Sequence, residues 1–181
     1  MFSKIEIAGI ALSITAMAAA LYLITKEDTQ VAATNNGSEV TQSDTVFVRE
    51  EGDPEENLRA AIVGAADATG KLENMIIDEV TIGTGEAAKI GDTVTVHYIG
   101  TLQNGQEFDN SNKRGEPFTF TLGEGKVIKG WEEGVTGMKQ GGKRILVIPS
   151  DKAYGDAGYG PIPGKATLVF AIDLLEVQTP N

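Results

Sequence analysis

The chain has 181 residues, a formal net charge of −11 and no cysteine. This length fits one ordinary domain with an extension, and the negative charge without a Lys/Arg cluster argues against binding to nucleic acid. The absence of cysteine excludes disulfides, thiolate metal sites and cysteine nucleophiles.

The N-terminal segment, residues 7–24, carries no charge and reads IAGIALSITAMAAALYLI. Eighteen residues in a helix span about 27 Å, enough for a thin bilayer core. We therefore expect residues 1–25 to form a single-pass membrane anchor, with the following chain on the extracytoplasmic side because the positive-inside rule slightly favours an inside N-terminus. A cleaved signal peptide, with Ala16-Met17-Ala18 or Ala18-Ala19-Ala20 as the cleavage site, and a soluble core helix are the alternatives.

Residues 26–71 are predicted to form a polar, acidic linker. Thr, Ser, Asn, Gln and Ala dominate residues 29–45 without periodicity, as in disordered spacers. The acidic run 50–56 is typical of a solvated stretch, although a contact for basic partners is the alternative. Residues 57–68 (NLRAAIVGAADA) predict a short helix, because Leu58, Ala61 and Ile62 fall at helical spacing, although Gly64 disfavours it.

From residue 72 to residue 181, short apolar runs alternate with glycine-containing turns, which predicts one domain of short strands. Strands are predicted at 75–82, 93–99, 118–122, 143–149 and 166–177, with a hairpin turn at Asn104-Gly105. Residues 130–138 predict a helix, because Trp131, Val135 and Met138 have helical spacing. The predicted class is α+β: an antiparallel sheet of five or six strands with one short helix on its apolar face.

A set of mostly apolar residues falls at strand ends and in loops of this domain, and it is the candidate site. Its members are Tyr98, Phe108, Asp109, Phe118, Val127, Ile128, Trp131, Tyr154, Ile162 and Phe170. His97 is the only histidine, so neither a Ser-His-Asp triad nor a histidine-based metal site can form. We expect no cofactor, and we expect His97 to be a packed or hydrogen-bonded strand residue.

Linked motifs connect this set to a known family. They are VHYIG at 96–100, GxxFDxS at 105–111, PFxF at 117–120, VIKGWExG at 127–134, AYG at 153–155 and ATLVF at 166–170. In order and spacing they resemble the FKBP-type immunophilin isomerases, from about Glu79 to Val177. The resemblance implies a half-open antiparallel sheet wrapped around a short helix, with a proline-binding pocket between them.

The resemblance also assigns roles within the candidate site. Trp131 would form the pocket floor, and the walls would be Tyr98, Phe108 and Phe170. The rim would consist of Phe118, Val127, Ile128 and Ile162. Asp109 and Tyr154 would be the polar groups, and the N–H of Ile128 would receive a substrate carbonyl. The implied partners are proline-containing segments of folding proteins, with macrolides as inhibitors.

The implied reaction fits residues of this kind. Rotation about an X–Pro bond breaks no covalent bond, so neither a nucleophile nor a metal is needed. The expected function is a membrane-tethered peptidyl-prolyl isomerase. The alternatives are a tethered chaperone module that binds proline segments without catalysis, and an anchor whose acidic linker is the functional part.

Overall fold

The computed structural model describes residues 45–48 and 72–180. The predicted anchor at 7–24 and the predicted helix at 57–68 lie outside these ranges. Within the described residues, no helix is both long and apolar enough to cross a membrane.

The described residues form one sheet with short helices. In chain order, the elements are β1 (Thr45–Val48), β2 (Met75–Thr81), β3 (Thr93–Leu102), β4 (Glu107–Asn110), α1 (Ser111–Arg114), β5 (Phe118–Thr121), α2 (Lys129–Val135), β6 (Lys143–Ile148), a 3₁₀ turn (Ser150–Lys152) and β7 (Leu168–Gln178). The strand order is β1-β2-β6-β7-β3-β4, and β5 also pairs with β3. All pairs among β2 to β7 are antiparallel, which confirms the predicted class and the predicted antiparallel sheet of five or six strands; β1 adds a seventh strand to it.

The first strand was not predicted. Residues 45–48 were assigned to the linker, but β1 lies beside β2 in parallel, with Thr45 opposite Met75 and Val48 opposite Asp78. Its sequence, TVFV, consists of β-branched and aromatic residues, which favour extended backbone. This short run was not recognised as a strand because the residues on either side of it are mostly polar.

The predicted alternation of β3 is confirmed. Val94, Val96 and Tyr98 are at most 8% exposed, whereas the residues between them are half-buried. These side chains meet the apolar residues of β6, β7 and α2 in one core cluster. The core therefore lies on a single face of the sheet, between the sheet and α2.

The Asn104-Gly105 turn joins β3 to β4 as predicted, but its geometry differs. Gly105 has a φ of 87°, while Asn104 is not among the described residues with positive φ. The Asn104 side chain accepts a hydrogen bond from the Gln106 N–H at 3.0 Å instead. The loop spans residues 103–106 rather than two residues, and the strand register shifts between Gly100 and Thr101.

Two glycines allow α2 to lie close against β6. A Cβ at Gly134 would stand 2.5 Å from Cδ1 of Leu146, and a Cβ at Gly130 would overlap Ile148. Gly130 and Gly134 are four residues apart and so share one helix face. Their lack of side chains fixes the height of Trp131 above the sheet.

The carboxyl end of α2 is held by a buried arginine. Arg144 of β6, 6% exposed, donates from Nη1 to the carbonyls of Gly134 at 2.8 Å and Thr136 at 3.2 Å. Its guanidinium also pairs with the carboxylate of Glu79 on β2. The arginine thus satisfies carbonyls at a helix end that lacks internal partners.

Candidate active site

A cavity of about 500 Å³ opens between the sheet and the start of α2. The residues that line it come from six separate parts of the fold. They are Tyr98, Phe108, Asp109, Phe118, Lys126, Val127, Ile128, Lys129, Trp131, Ala153, Tyr154 and Phe170. Most of this lining is aromatic or aliphatic, so a bound group loses its contact with water.

Trp131 forms the floor of the cavity and is 4% exposed. Its ring meets Tyr98 at 4.9 Å and Phe170 at 5.2 Å, both edge to face, which is a favoured geometry for aromatic pairs. Phe118 completes the cluster, with its ring centroid 6.0 Å from that of Trp131. The indole Nε1 has no hydrogen-bond partner among the described residues.

Phe108 and Phe170 form one wall, with ring centroids 5.6 Å apart and planes at 87°. Gly100 of β3 lies directly behind them. A Cβ at Gly100 would stand 2.8 Å from Cζ of Phe108 and 2.9 Å from Cε1 of Phe170. The glycine therefore lets both rings pack down onto the strand.

A polar group of three side chains stands at one edge of the cavity. The hydroxyl of Tyr98 donates to Oδ2 of Asp109, and the Arg114 guanidinium pairs with Oδ1 of the same carboxylate. Arg114 also donates to the Tyr98 hydroxyl oxygen at 3.1 Å, and its Cζ lies 5.5 Å from the Tyr98 ring centroid. The arrangement holds Asp109 in one orientation beside an apolar surface.

Burial, followed by the hydrogen bond to Asp109, raises the pKa of Tyr98 above its ordinary value of 10.0. The phenol therefore stays protonated at neutral pH and remains a donor to the carboxylate. A protonated Tyr98 can hold the charged carboxylate of Asp109 in position without transferring a proton to it.

The segment before α2 is fixed by Glu132. Its carboxylate accepts from the N–H groups of Gly123 at 2.6 Å and Gly125 at 3.0 Å, which ties this loop to the helix. Ile128 caps the helix in extended conformation, and its carbonyl accepts from the Trp131 N–H at 2.9 Å. The Ile128 N–H itself donates no hydrogen bond within the described residues, so it is available to a ligand carbonyl.

Tyr154 closes the cavity from the loop after β6. Its ring stacks on that of Tyr159 at 5.3 Å with an angle of 15°. Burial is the main cause that raises the pKa of Tyr154, with Tyr159 and Asp109 adding to it. The phenol is thus neutral at physiological pH, and it lies near enough to Asp109 for that carboxylate to act on its pKa.

The structure brings nine of the ten predicted site residues to this cavity. Ile162 is the exception: it is 6% exposed within the hydrophobic core and is absent from the lining. Its backbone exchanges two hydrogen bonds of 2.9 Å with Tyr159, so it supports the loop that carries Tyr159. Its role at the rim stays a prediction. His97 is hydrogen-bonded as predicted, from Nδ1 to Ser111 Oγ at 2.9 Å.

Four residues at the site were not predicted: Arg114, Lys126, Lys129 and Ala153. Arg114 belongs to α1, whose first turn is capped by the Asn110 side chain and whose end is marked by Gly115 with φ 75°. An Asn before a helix and a Gly after it are sequence signals for the two ends of a short helix. Lys129 and Ala153 fall within the linked motifs at 127–134 and 153–155, whereas Lys126 carried no signal beyond its position beside Val127.

Comparison with known proteins gives a consistent result. A family model described as "FKBP-type peptidyl-prolyl cis-trans isomerase" matches residues 84–175, about half of the chain. All of the cavity-lining residues fall within this match.

Individual relatives differ in size. The FK506-binding protein of Neisseria meningitidis serogroup A is 52% identical over 107 residues, covering 59% of this chain and 98% of that protein. FK506-binding protein 4 of Emericella nidulans is 52% identical over 108 residues, but the match covers only 22% of that longer protein. The chain therefore spans about a fifth of the fungal relatives that it matches.

Solved structures give the same fold. FkpA from Escherichia coli superposes with a TM-score of 0.56 and 48% identity, covering 63% of this chain and 51% of that one. AtFKBP13 superposes with a TM-score of 0.55 and 37% identity, covering 62% of this chain and 96% of that one.

Proposed function

Because the chain belongs to the FKBP-type peptidyl-prolyl cis-trans isomerase family, we propose that its aromatic cavity accelerates isomerisation of X–Pro bonds in polypeptides. The observation that carries the proposal is the cavity floor of Trp131, enclosed by aromatic walls, with Asp109 held at one edge. The clients are proline-containing segments of unfolded or folding proteins.

Rotation about the X–Pro bond faces a barrier of about 20 kcal/mol, which amide resonance sets. The planar amide is more dipolar than the twisted one, so its transfer from water to an apolar cavity disfavours the ground state more. Each difference of about 1.4 kcal/mol changes the rate tenfold. Burial of proline against Trp131, Phe108 and Phe170 supplies this environment without covalent chemistry.

The polar groups act by position. The N–H of Ile128 donates a hydrogen bond to a carbonyl of the bound peptide. This bond fixes the register of the peptide at the mouth of the cavity. Asp109, oriented by Tyr98 and Arg114, sets a fixed negative charge near the twisting amide. Interactions that strengthen only as the amide twists raise the catalytic rate constant.

The test is a protease-coupled assay with an Ala-Leu-Pro-Phe peptide and the full chain in mild detergent. We expect acceleration well above the uncatalysed rate, and its loss in Phe108→Ala. Binding of the peptide without acceleration would instead support a chaperone module that holds proline segments.

We also propose that the cavity binds the macrolide FK506, because relatives that share half of their residues in this region are named for binding it. The macrolide should then inhibit the isomerase reaction competitively. FK506 that binds without changing the apparent KM of the peptide would contradict a shared cavity.

We further propose that residues 7–24 anchor the chain in a membrane, with the isomerase domain on the extracytoplasmic side. The support is the uncharged length of this segment. Carbonate extraction of membranes tests retention, and protease protection of intact cells or vesicles tests the side. A mature N-terminus after Ala18 or Ala20 would instead indicate a cleaved signal.

A further inference from the structure

The face of the sheet opposite the aromatic cavity is also apolar and buried. An outer strip of five side chains is 0–3% exposed: Ile76, Ile145, Val147, Val169 and Ala171. Pairing places them side by side, because Val147 is opposite both Ile76 and Val169, and Ile145 is opposite Ala171. None of them belongs to the core cluster, since their neighbours along each strand point to the core instead.

The described helices do not explain this burial. α2 lies on the core face, where Trp131 and Val135 join the core cluster. α1 packs against β3, where Ser111 bonds to His97 and to the Tyr98 N–H. The loops that contain Ala88 and Ile162 also contribute to the core. A strip of this kind on a sheet must be covered to be so little exposed.

The pairing of β1 points to the origin of the cover. β1 and β2 are adjacent and parallel, so residues 49–74 must return the chain from the end of one strand to the start of the other. Parallel neighbours need a crossover of a dozen or more residues, which is usually helical and packs on a face of the sheet. The core face is already occupied by α2.

We propose that the outer strip is the docking surface for residues 57–68 of the same chain. This segment, NLRAAIVGAADA, lies within the crossover and places Leu58, Ala61 and Ile62 on one side of a helix. Its five alanines and one glycine permit a close approach to the sheet. The segment lies outside residues 84–175, which match the family model, so the cover is an addition to the family domain.

A carboxyl group on the same face supports the proposal. Asp78 is opposite Ile145 in β6, at the margin of the outer strip. Desolvation is the first cause that raises the pKa of Asp78 to about 6, and the neighbouring Glu79 adds to it. A carboxyl on an open sheet face would keep its water.

Because the chain has no cysteine, a single introduced thiol can report on this surface. In the full chain, Ala171→Cys should react with a thiol reagent at least about tenfold more slowly than Ile82→Cys, whose parent residue is 54% exposed. Adding Ile62→Glu should speed the reaction of the Ala171→Cys thiol at least about tenfold. The matched control, Ala60→Glu, puts the same charge on the other side of the segment and should leave the rate unchanged.

Isomerase activity separates undocking from unfolding, because the cavity lies on the opposite face and should stay active in Ile62→Glu. If that variant does unfold, Ile62→Ala removes the contact without adding charge and should give a smaller acceleration. Equal labelling rates in the Ile62→Glu and Ala60→Glu backgrounds would overturn the proposal. Fast labelling of the Ala171→Cys thiol in the otherwise unchanged chain would also overturn the proposal. Protection that is lost on dilution, together with a dimer in sedimentation, would assign the strip to a second copy and overturn it as well.

Discussion

At the scale of single residues, the carboxylate of Asp109 is the most constrained polar group of the site. It has a phenol on one oxygen and a guanidinium on the other, and the N–H of Asn110 donates to Oδ1 at 2.8 Å. Its partners come from three elements, β3, β4 and α1. A residue held from three directions can present its charge without reorganising when a substrate binds.

Substitutions in the cavity should separate the effects of its shape and its fixed charge on catalysis from the effect of the Tyr154 hydroxyl. Phe108→Ala opens a wall and Asp109→Leu removes the fixed charge, and each should lower kcat/KM about 10- to 100-fold, or about 1.4–2.7 kcal/mol. Tyr154→Phe should change it less than about threefold, because the Tyr154 hydroxyl makes no hydrogen bond to another described residue. The measurement is the protease-coupled assay, with thermal unfolding as the control for folding. Equal activity in all three variants would contradict the assignment of the site.

Stability should depend on pH through Asp78. Its pKa is about 6 in the folded chain against an ordinary value of 3.8, so the folded state holds the proton more tightly than the unfolded state. Stability is therefore lost as pH rises from about 4 to about 6, and the loss is complete above that window. On the same face, the charge of Lys143 is already paired with Asp173 and does not offset the carboxylate.

Asp78→Asn should accordingly be more stable than the parent at pH 7.5, and the difference should vanish near pH 4. Urea unfolding at several pH values measures it. The exposed Glu116→Gln serves as the control for the loss of one negative charge. An advantage of Asp78→Asn that does not change between pH 4 and pH 7.5 would rule out the titration of this group.

At the scale of elements, the sequence predicted those that a local pattern specifies. The strands of the core show clean alternation, and α2 shows apolar residues at helical spacing. The four-residue α1 has too few residues for a periodic pattern, and its caps were its only signal. β1 was missed because parallel pairing with β2 depends on contacts across residues 49–74, which no local window contains.

The packing of α2 predicts an unusual sign for a glycine substitution. Gly→Ala inside a helix ordinarily stabilises a protein by about 0.5–1 kcal/mol. At Gly134, however, the new Cβ would meet fully buried Leu146 at 2.5 Å, and overpacking of this kind costs about 1–3 kcal/mol. We therefore expect Gly134→Ala to lower the free energy of unfolding by about 1–2 kcal/mol, measured in urea.

A second substitution tests the cause. Leu146→Val shortens the side chain that the new methyl group meets, so the double variant should be less destabilised than the sum of the two single variants. Additive losses would show that the contact with Leu146 is not responsible.

At the scale of the whole molecule, the cavity and the N-terminal segment are separate in sequence. Every cavity-lining residue falls between residues 98 and 170. Deletion of residues 1–44 should therefore leave kcat/KM on a short peptide within about twofold of the full chain, while the protein leaves the membrane fraction. A large loss of peptide activity in a folded truncated protein would show that the segment takes part in catalysis.

Most of the site could be predicted because linked motifs of a known family run through the domain. What those motifs could not indicate is how other residues complete it. Arg114 reaches Asp109 only because α1 turns the chain back over β3. Ile162 is not among the residues that line the cavity, and its backbone pairs with Tyr159. The position of Arg114 depends on loop geometry, which a list of residue types does not contain.

The chain contains one tryptophan, and that residue is the floor of the cavity. Its indole is shielded from water and has an N–H with no partner among the described residues. Tryptophan fluorescence, excited selectively over that of the four tyrosines, therefore arises from the binding site alone. A proline peptide or macrolide that binds against the indole should alter the intensity and the wavelength of this emission. The molecule therefore contains an intrinsic fluorescent probe of ligand binding.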